Sequence, residues 1–360
     1  MTGAMAEDID VRSLASHWTA RCVENGVPMD DYARITGGVE SWERWCAGWE
    51  SVADLRCRDA DAAEERGATL TAAELRLVAT LEYHFGKFLF VHDLPVLRAV
   101  HAKAVQSYRQ AMVALPWPGR RLDVPYEGTE LSGVLRLPDG DGRPSPTVVV
   151  VPGLDATKEE MHRLQEVFLR RGMATYSFDG PGQGEAEFDL PLRTDWEAVA
   201  SAAVDALVRE PTVDADRLAV VGVSLGGYFA ARAASVEPRF VAGASVGGCY
   251  SMGECWSRLP LLTRRAFVVR SGASSDAEGH ERADTFTLAD LEALGGTPFL
   301  VMHGGRDRLF GDDQARRLTT HFGDDAELVV EPDGNHVLHN LAYRVRPAVA
   351  DWVARRLVVG

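Results

Sequence analysis

From about Asp8 to Val113 the apolar residues recur three and four positions apart, as in "SWERWCAGWESVADLRC" and "TAAELRLVATLEYHFGKFLFVHD", with few Gly or Pro between them. That period predicts amphipathic helices. "LPVLRAVHAKAVQSYRQAMVAL" continues the pattern without a fixed repeat period, and "PWPGRR", Pro116 to Arg121, interrupts it. Residues 1–115 are therefore expected to form a helical segment, and residues 116–360 a second, larger domain.

Beyond the interruption the rhythm shortens. "LDVPYEGTELSGVLRLP" alternates apolar and polar residues around Glu127-Gly128, as a hairpin does. The solid apolar runs "TVVVVPG", "MATYSFDGPG", "RLAVVGVS", "VAGASVGG", "PFLVMHGG" and "ELVVEPDG" follow. Helical stretches separate them, near Lys158–Arg171, near Trp196–Arg209, from Leu225, near Asp313–His321, and a last one ending near Leu357. Apolar runs separated by helices predict an α/β fold with a mostly parallel sheet covered on both faces. Ligands of such sheets bind where the strands end, so chemistry is to be sought there.

Composition narrows the picture. At 360 residues the chain exceeds one compact core. A formal charge of -15 argues against a nucleic-acid partner, which needs a basic face. Five cysteines without a CxxC pair suggest neither a disulfide framework nor a zinc site, and reduced cytoplasmic thiols are the simpler reading. "MTGAMAEDIDVRSLASHW" lacks the basic and apolar regions of a signal peptide, and no apolar run approaches a membrane span. The glycines of "FDGPGQGE" lack G-x-G-x-x-G spacing, and no metal cluster is visible, so no cofactor is expected.

One strand end carries a candidate nucleophile. Gly222-Val223-Ser224-Leu225-Gly226 follows "RLAVVGV" and precedes a helical stretch, which fits the G-x-S-x-G nucleophile elbow. The bland reading makes Ser224 a helix N-cap. A serine nucleophile needs a base and an orienting carboxylate, in the chain order Ser, Asp or Glu, His. Asp307 in "HGGRDRLFGDD" and His336 in "PDGNHVLHN" both lie just past strand ends. Asp312 and Asp313 look like the cap of the next helix, His339 falls toward the last helix, and His303 sits inside an apolar strand. Oxyanion donors are expected from the backbone of Leu225 and of the loop "PGLDATKEE", at Leu154 or Asp155. Asp155 reads equally as an N-cap of the helix carrying Lys158, Glu159 and Glu160.

These stretches, with the ending "HNLAYRVRPAVADWVARRL", resemble the α/β-hydrolase group that contains dihydroxypseudooxynicotine hydrolase and polyketide-shortening hydrolases of fungal pigment pathways. "FDGPGQGE" with "DATKEE" carries more of the likeness than the serine elbow does. "SWERWCAGW" and "YHFGKFLF" extend it, more loosely, to the helical front end. The resemblance implies an eight-stranded α/β-hydrolase fold with an N-terminal helical cap, often a dimer, and a serine hydrolase able to cut a carbon–carbon bond beside a carbonyl. It makes Ser224 the nucleophile, Asp307 the orienter and His336 the base. Asp155 falls where the nicotine-pathway enzyme has a catalytically implicated glutamate, one methylene longer.

A lid is expected at about residues 250–292, after the sixth strand. Its Trp256, Leu259, Leu261 and Phe267 read either as walls of an apolar pocket or as packing of the lid itself. Tyr83, His84, Phe85, Lys87 and Phe88 of the front segment are open in the same way, Tyr83 and Lys87 being its substrate-binding candidates. The functional expectation is triad-dependent cleavage beside the carbonyl of a small β-diketone, acyl-aromatic or polyketide-type substrate. The alternatives are a carboxylesterase or thioesterase, an acyltransferase or cyclase, and a binder that has abandoned catalysis.

Overall fold

The computed structural model describes residues 9–140 and 142–357. The described residues divide into two compact units, 9–120 and 121–357.

The first unit is helical: α1 Val11–Asn25, α2 Met29–Gly38, α3 Trp42–Glu65, α4 Thr69–Lys87 and α5 Leu94–Ala111. Asp10 caps α1 by accepting the N–H groups of Arg12 and Ser13, each at 3.1 Å. Asp93 caps α5 through Val96 N–H, 3.1 Å away. The buried face of α3 carries Trp42, Trp45, Cys46, Trp49, Val52 and Ala53, the three-and-four spacing of the sequence. Trp45 lies 5.4 Å from Trp42 and 5.6 Å from Trp49, ring centre to ring centre, and its indole N–H donates to the Phe85 carbonyl at 2.9 Å. "SWERWCAGW" and "YHFGKFLF" are thus two faces of one aromatic contact between α3 and α4.

The second unit is built on an eight-stranded sheet whose first strand begins at residue 119, just ahead of the unit's boundary. Its strands are β1 Gly119–Arg121, β4 Gly133–Arg136, β5 Ser145–Val151, β6 Ala174–Phe178, β7 Val213–Val223, β8 Phe240–Val246, β9 Phe299–Gly304 and β10 Ala326–Glu331. They lie in the order β1-β4-β6-β5-β7-β8-β9-β10. β4 runs antiparallel to β6, and the pairings from β6 through to β10 are parallel. The hairpin at Glu127-Gly128 forms a separate two-stranded ribbon, β2 Val124–Tyr126 with β3 Thr129–Leu131, and both turn residues have positive φ, 46° and 82°.

The helices are α6 His162–Leu169, α7 Trp196–Leu207, α8 Leu225–Val236, α9 Leu261–Arg270, α10 Asp276–Asp284, α11 Asp312–Phe322 and α12 Ala342–Leu357. One core joins Val148 and Val150 of β5, Ala219 and Val221 of β7 and Leu300 of β9 to Phe168 of α6 and Trp352 of α12. Elsewhere Trp196 of α7 stacks on Phe229 of α8 at 5.0 Å and on Phe178 of β6 at 5.7 Å. Covering on both faces is why the central strands read as unbroken apolar runs, since each large side chain buried contributes about 1.5–3 kcal/mol. Among the described residues no helix is long and apolar enough to cross a membrane.

Candidate active site

Ser224 stands at the corner between β7 and α8 with φ 55° and ψ -126°, a conformation that costs a non-glycine residue about 1–3 kcal/mol. Close packing enforces the corner. A Cβ on Gly222 would fall 1.8 Å from the Gly226 carbonyl oxygen, and one on Gly226 would fall 2.3 Å from that of Val151. Ser224 N–H donates to the Val246 carbonyl at 3.0 Å, which ties the corner to the end of β8. The hydroxyl makes no capping bond to α8. It lies instead 2.8 Å from Nε2 of His336.

Nδ1 of His336 is 2.7 Å from Oδ2 of Asp307. Since a carboxylate only accepts, Nδ1 carries the proton, and Nε2 is left to accept from the serine. Asp307 is buried just beyond β9, and its Oδ1 accepts N–H bonds from Leu309 at 2.8 Å and Phe310 at 3.1 Å. Burial alone raises such a carboxyl. The facing imidazole and the two backbone donors outweigh it and hold Asp307 below the usual carboxylate range.

His336 follows β10, with Phe310 edge-on to its ring at 5.2 Å. The next two residues, Val337 and Leu338, have φ of 59° and 56°, and Leu338 is fully buried in the core that backs the sheet. That anchor holds the strained turn, and the turn aims the imidazole.

The rival groups are engaged elsewhere. His303 is buried in β9 with Nε2 2.9 Å from Oδ1 of Asp312, which begins α11, while the N-cap of that helix is Gly311. His339 lies in a short 3₁₀ turn, His336–Leu341, ahead of α12 rather than on it.

The loop after β5 corrects the sequence reading. Helix α6 starts at His162, not near Lys158, with Met161 in the cap position, so Asp155 does not cap it. Lys158, Glu159 and Glu160 lie in a turn ahead of the helix and are buried. The ammonium of Lys158 sits 2.6 Å from Asp179, 2.7 Å from Glu159 and 2.8 Å from Glu185. These three carboxylates have the mutual spacing of a metal site. Lys158 sets its positive charge within 2.8 Å of all three, so the cation of this cluster is its own ammonium. Burial lowers the ammonium's pKa, but the carboxylates lift it well above the ordinary value. Asp179 goes the other way for a carboxylate facing an ammonium: burial, with the charge of Glu159, raises it to about 6 against the pull of Lys158.

The same two motifs meet again nearer the serine. Nε2 of Gln183, in "FDGPGQGE", donates to the carbonyls of both Pro152 and Gly153 at 2.8 Å. A Cβ on Gly153 would stand 3.1 Å from the Ser224 Cβ and 3.6 Å from its Oγ, so this loop lies directly against Ser224. The next carbonyl, Leu154, accepts from Arg270 of α9, and Arg270 is paired with buried Glu187 at 2.9 Å. Leu154 and Leu225 are both buried, and Asp155 is half-buried. Lys158, Asp179, Gln183 and Arg270 were given no role by sequence reasoning. For Gln183 the available signal was a polar residue between two glycines just beyond a strand end.

The proposed substrate walls are packed differently. Trp256 is buried in the insertion between β8 and β9, stacked on His280 at 5.5 Å and edge-on to Phe267 at 5.6 Å. Phe267 is fully buried and lies 5.3 Å from Phe286. These rings form the insertion's own core. Tyr83 donates its hydroxyl to Asp54 at 2.5 Å within the helical unit, and Lys87, the last residue of α4, is fully buried. The Tyr83 hydroxyl thus ties α4 to α3. Among the described residues no disulfide joins any of the five cysteines.

A serine on a strained strand-to-helix corner, an imidazole and a carboxylate at successive strand ends of an eight-stranded parallel-rich sheet define an α/β hydrolase. The chain matches the family model described as Esterase FrsA-like over residues 30–263, and it belongs to that family. It is 33% identical to 2,6-dihydropseudooxynicotine hydrolase of Paenarthrobacter nicotinovorans, covering 88% of this chain and 85% of that protein. The fungal Hydrolase LUC6 of Fusarium sp is 36% identical over 62% of this chain, but this chain spans only 56% of it. Among solved structures, 2,6-dihydroxy-pseudo-oxynicotine hydrolase superposes with a TM-score of 0.86 at 31% identity, covering 95% of this chain and 96% of the other. Wild-type AbyA5, at 19% identity and a TM-score of 0.73 over 96% and 99% of the two chains, shares the fold.

Proposed function

We propose that this hydrolase works through an acyl-enzyme on Ser224. His336 takes the hydroxyl proton as Oγ attacks the carbonyl carbon of a small acyl substrate. The N–H groups of Leu225 and of the Leu154–Asp155 loop receive the oxyanion, and Asp307 holds the imidazolium that results. His336 then protonates the leaving group and activates the water that frees the acyl product. The observation that carries this reading is the unbroken hydrogen-bond chain Asp307–His336–Ser224, at 2.7 and 2.8 Å.

The bond cut lies between a carbonyl carbon and a carbon that can bear charge, as in a β-diketone or an acylated electron-rich ring. A relative named for a pseudooxynicotine substrate, matched over most of both chains, supports a heteroaromatic or ketonic substrate. Such a leaving group departs as a stabilised carbanion that takes its proton from His336, and Asp155 serves to orient its enol or phenol oxygen. Residues 250–292 act as the lid. The protein works without a cofactor, in the cytoplasm, as a homodimer.

Ester hydrolysis is the second reading, favoured by the esterase description of the family. The test is turnover of a β-diketone against short nitrophenyl esters, with Ser224→Ala and His336→Ala as controls. C–C cleavage that disappears in both variants supports the proposal. Robust ester cleavage with no product from the diketone sinks the C–C reading and keeps the triad.

A further inference from the structure

We infer that Gln183 is a positioning residue for the hydrolytic step, orienting the peptide planes of the oxyanion loop from behind, with Arg270 as its counterpart from the insertion. The inference rests on the reading of Ser224 as nucleophile and of the Leu154–Asp155 loop as oxyanion donor.

Every polar atom of the Gln183 side chain is used. Its two amide hydrogens go to Pro152 and Gly153 at 2.8 Å, and its oxygen accepts the N–H of Gly180 at 3.2 Å. The reverse orientation would set an oxygen against two carbonyls and an NH₂ against an N–H, so the amide has one consistent placement.

In a planar trans peptide the C=O of one residue and the N–H of the next point in opposite directions. Holding the Pro152 and Gly153 carbonyls toward Gln183 therefore turns the N–H groups of Gly153 and Leu154 away from it. Arg270 does the same to the Leu154 carbonyl, and so to the N–H of Asp155. Three consecutive peptides are set by two side chains, at the residue whose missing Cβ brings the loop against Ser224.

Without the clamp a peptide in this loop can rotate, presenting a carbonyl oxygen where a developing anion needs a donor. A misplacement of about 1 Å at a reacting centre costs on the order of 10²-fold in rate. Arg270 lies on α9, so a shift of that helix moves the Leu154 carbonyl with it. It is a poorer probe than Gln183, because its loss also strands the buried carboxylate of Glu187.

The experiment compares wild type with Gln183→Met, which has similar length and no donors, and Gln183→Glu, which puts an oxygen in place of the NH₂. The readouts are kcat and KM on a nitrophenyl ester, the rate of Ser224 labelling by a fluorophosphonate, and Tm. Both variants are expected to lose on the order of 10²-fold in kcat and in labelling rate, with KM held. Gln183→Glu is expected to recover relative to Gln183→Met as pH falls, because a protonated carboxyl regains one donor. Folded variants with wild-type kcat and labelling rate overturn the proposal. So does a loss of activity that follows Tm alone, with no pH-dependent difference between the variants. If the wild type takes no label on Ser224, the nucleophile reading itself fails and this inference goes with it.

Discussion

The Oδ2 of Asp307 meets Nδ1 of His336 at 2.7 Å, while the other oxygen of the same carboxylate accepts two backbone N–H bonds. The carboxylate is thus fixed before it fixes the ring. Asp307→Asn keeps the shape but offers an NH₂ where an acceptor is needed, which turns the imidazole to the wrong tautomer. Turnover is expected to fall by about 10⁴ with little change in Tm, measured by steady-state kinetics beside a thermal melt. A loss under tenfold would mean that another group orients the base.

The elbow tolerates no added atom at Gly222. In Gly222→Ala the new methyl meets the Gly226 carbonyl at 1.8 Å, a backbone atom that no rotamer change can move aside. The variant is expected to be inactive and destabilised by about 3 kcal/mol, read from the urea midpoint. Retained activity would show that the corner between β7 and α8 has more room than its geometry allows.

Lys158 holds Asp179, Glu159 and Glu185 together in a buried site. Lys158→Met strands those charges, and a stability loss of about 3–5 kcal/mol is expected at neutral pH. Adding Asp179→Leu to it should restore part of the loss, because one stranded carboxylate is then gone. Denaturant melts of the single and double variants check this, and a single variant as stable as wild type would contradict it.

Glu185 supplies a pH signature. Burial raises its carboxyl, but the attraction of Lys158 and of Arg121 dominates and brings it from the ordinary 4.5 down to about 2. A group with a depressed folded pKa contributes stability above its unfolded value and loses it as pH falls through the folded one. The stability of the wild type is therefore expected to decline between about pH 4.5 and pH 2. Glu185→Gln should show a shallower decline over that window, and identical slopes would remove Glu185 from the acid response.

Much of this was legible in the chain because local rules and tertiary structure agree. The Glu127-Gly128 hairpin, the apolar runs of β5 and β7 and the serine between glycines each satisfy a local requirement that the fold also imposes. Asp307 and His336 stand out in the chain because they follow strand ends, where such sheets gather their chemistry. The failures come where distant segments overrule local preference. Lys158 and Glu159 look like the first turn of a helix but are drawn into a cluster with Asp179, a strand away. Gln183 looks like a loop residue, and its amide bonds to carbonyls some thirty positions earlier. Trp256 and Tyr83 carry the same helical spacing whether they face a ligand or a neighbouring side chain, and only their partners, His280 and Asp54, decide.

The most direct test of the central claim is mass spectrometry of peptides from protein exposed to a fluorophosphonate. One adduct is expected, on the peptide bearing Ser224, absent from Ser224→Ala and formed far more slowly in His336→Ala. A wild-type protein that turns over substrate yet carries no adduct there, or a Ser224→Ala protein with undiminished turnover, would contradict the account.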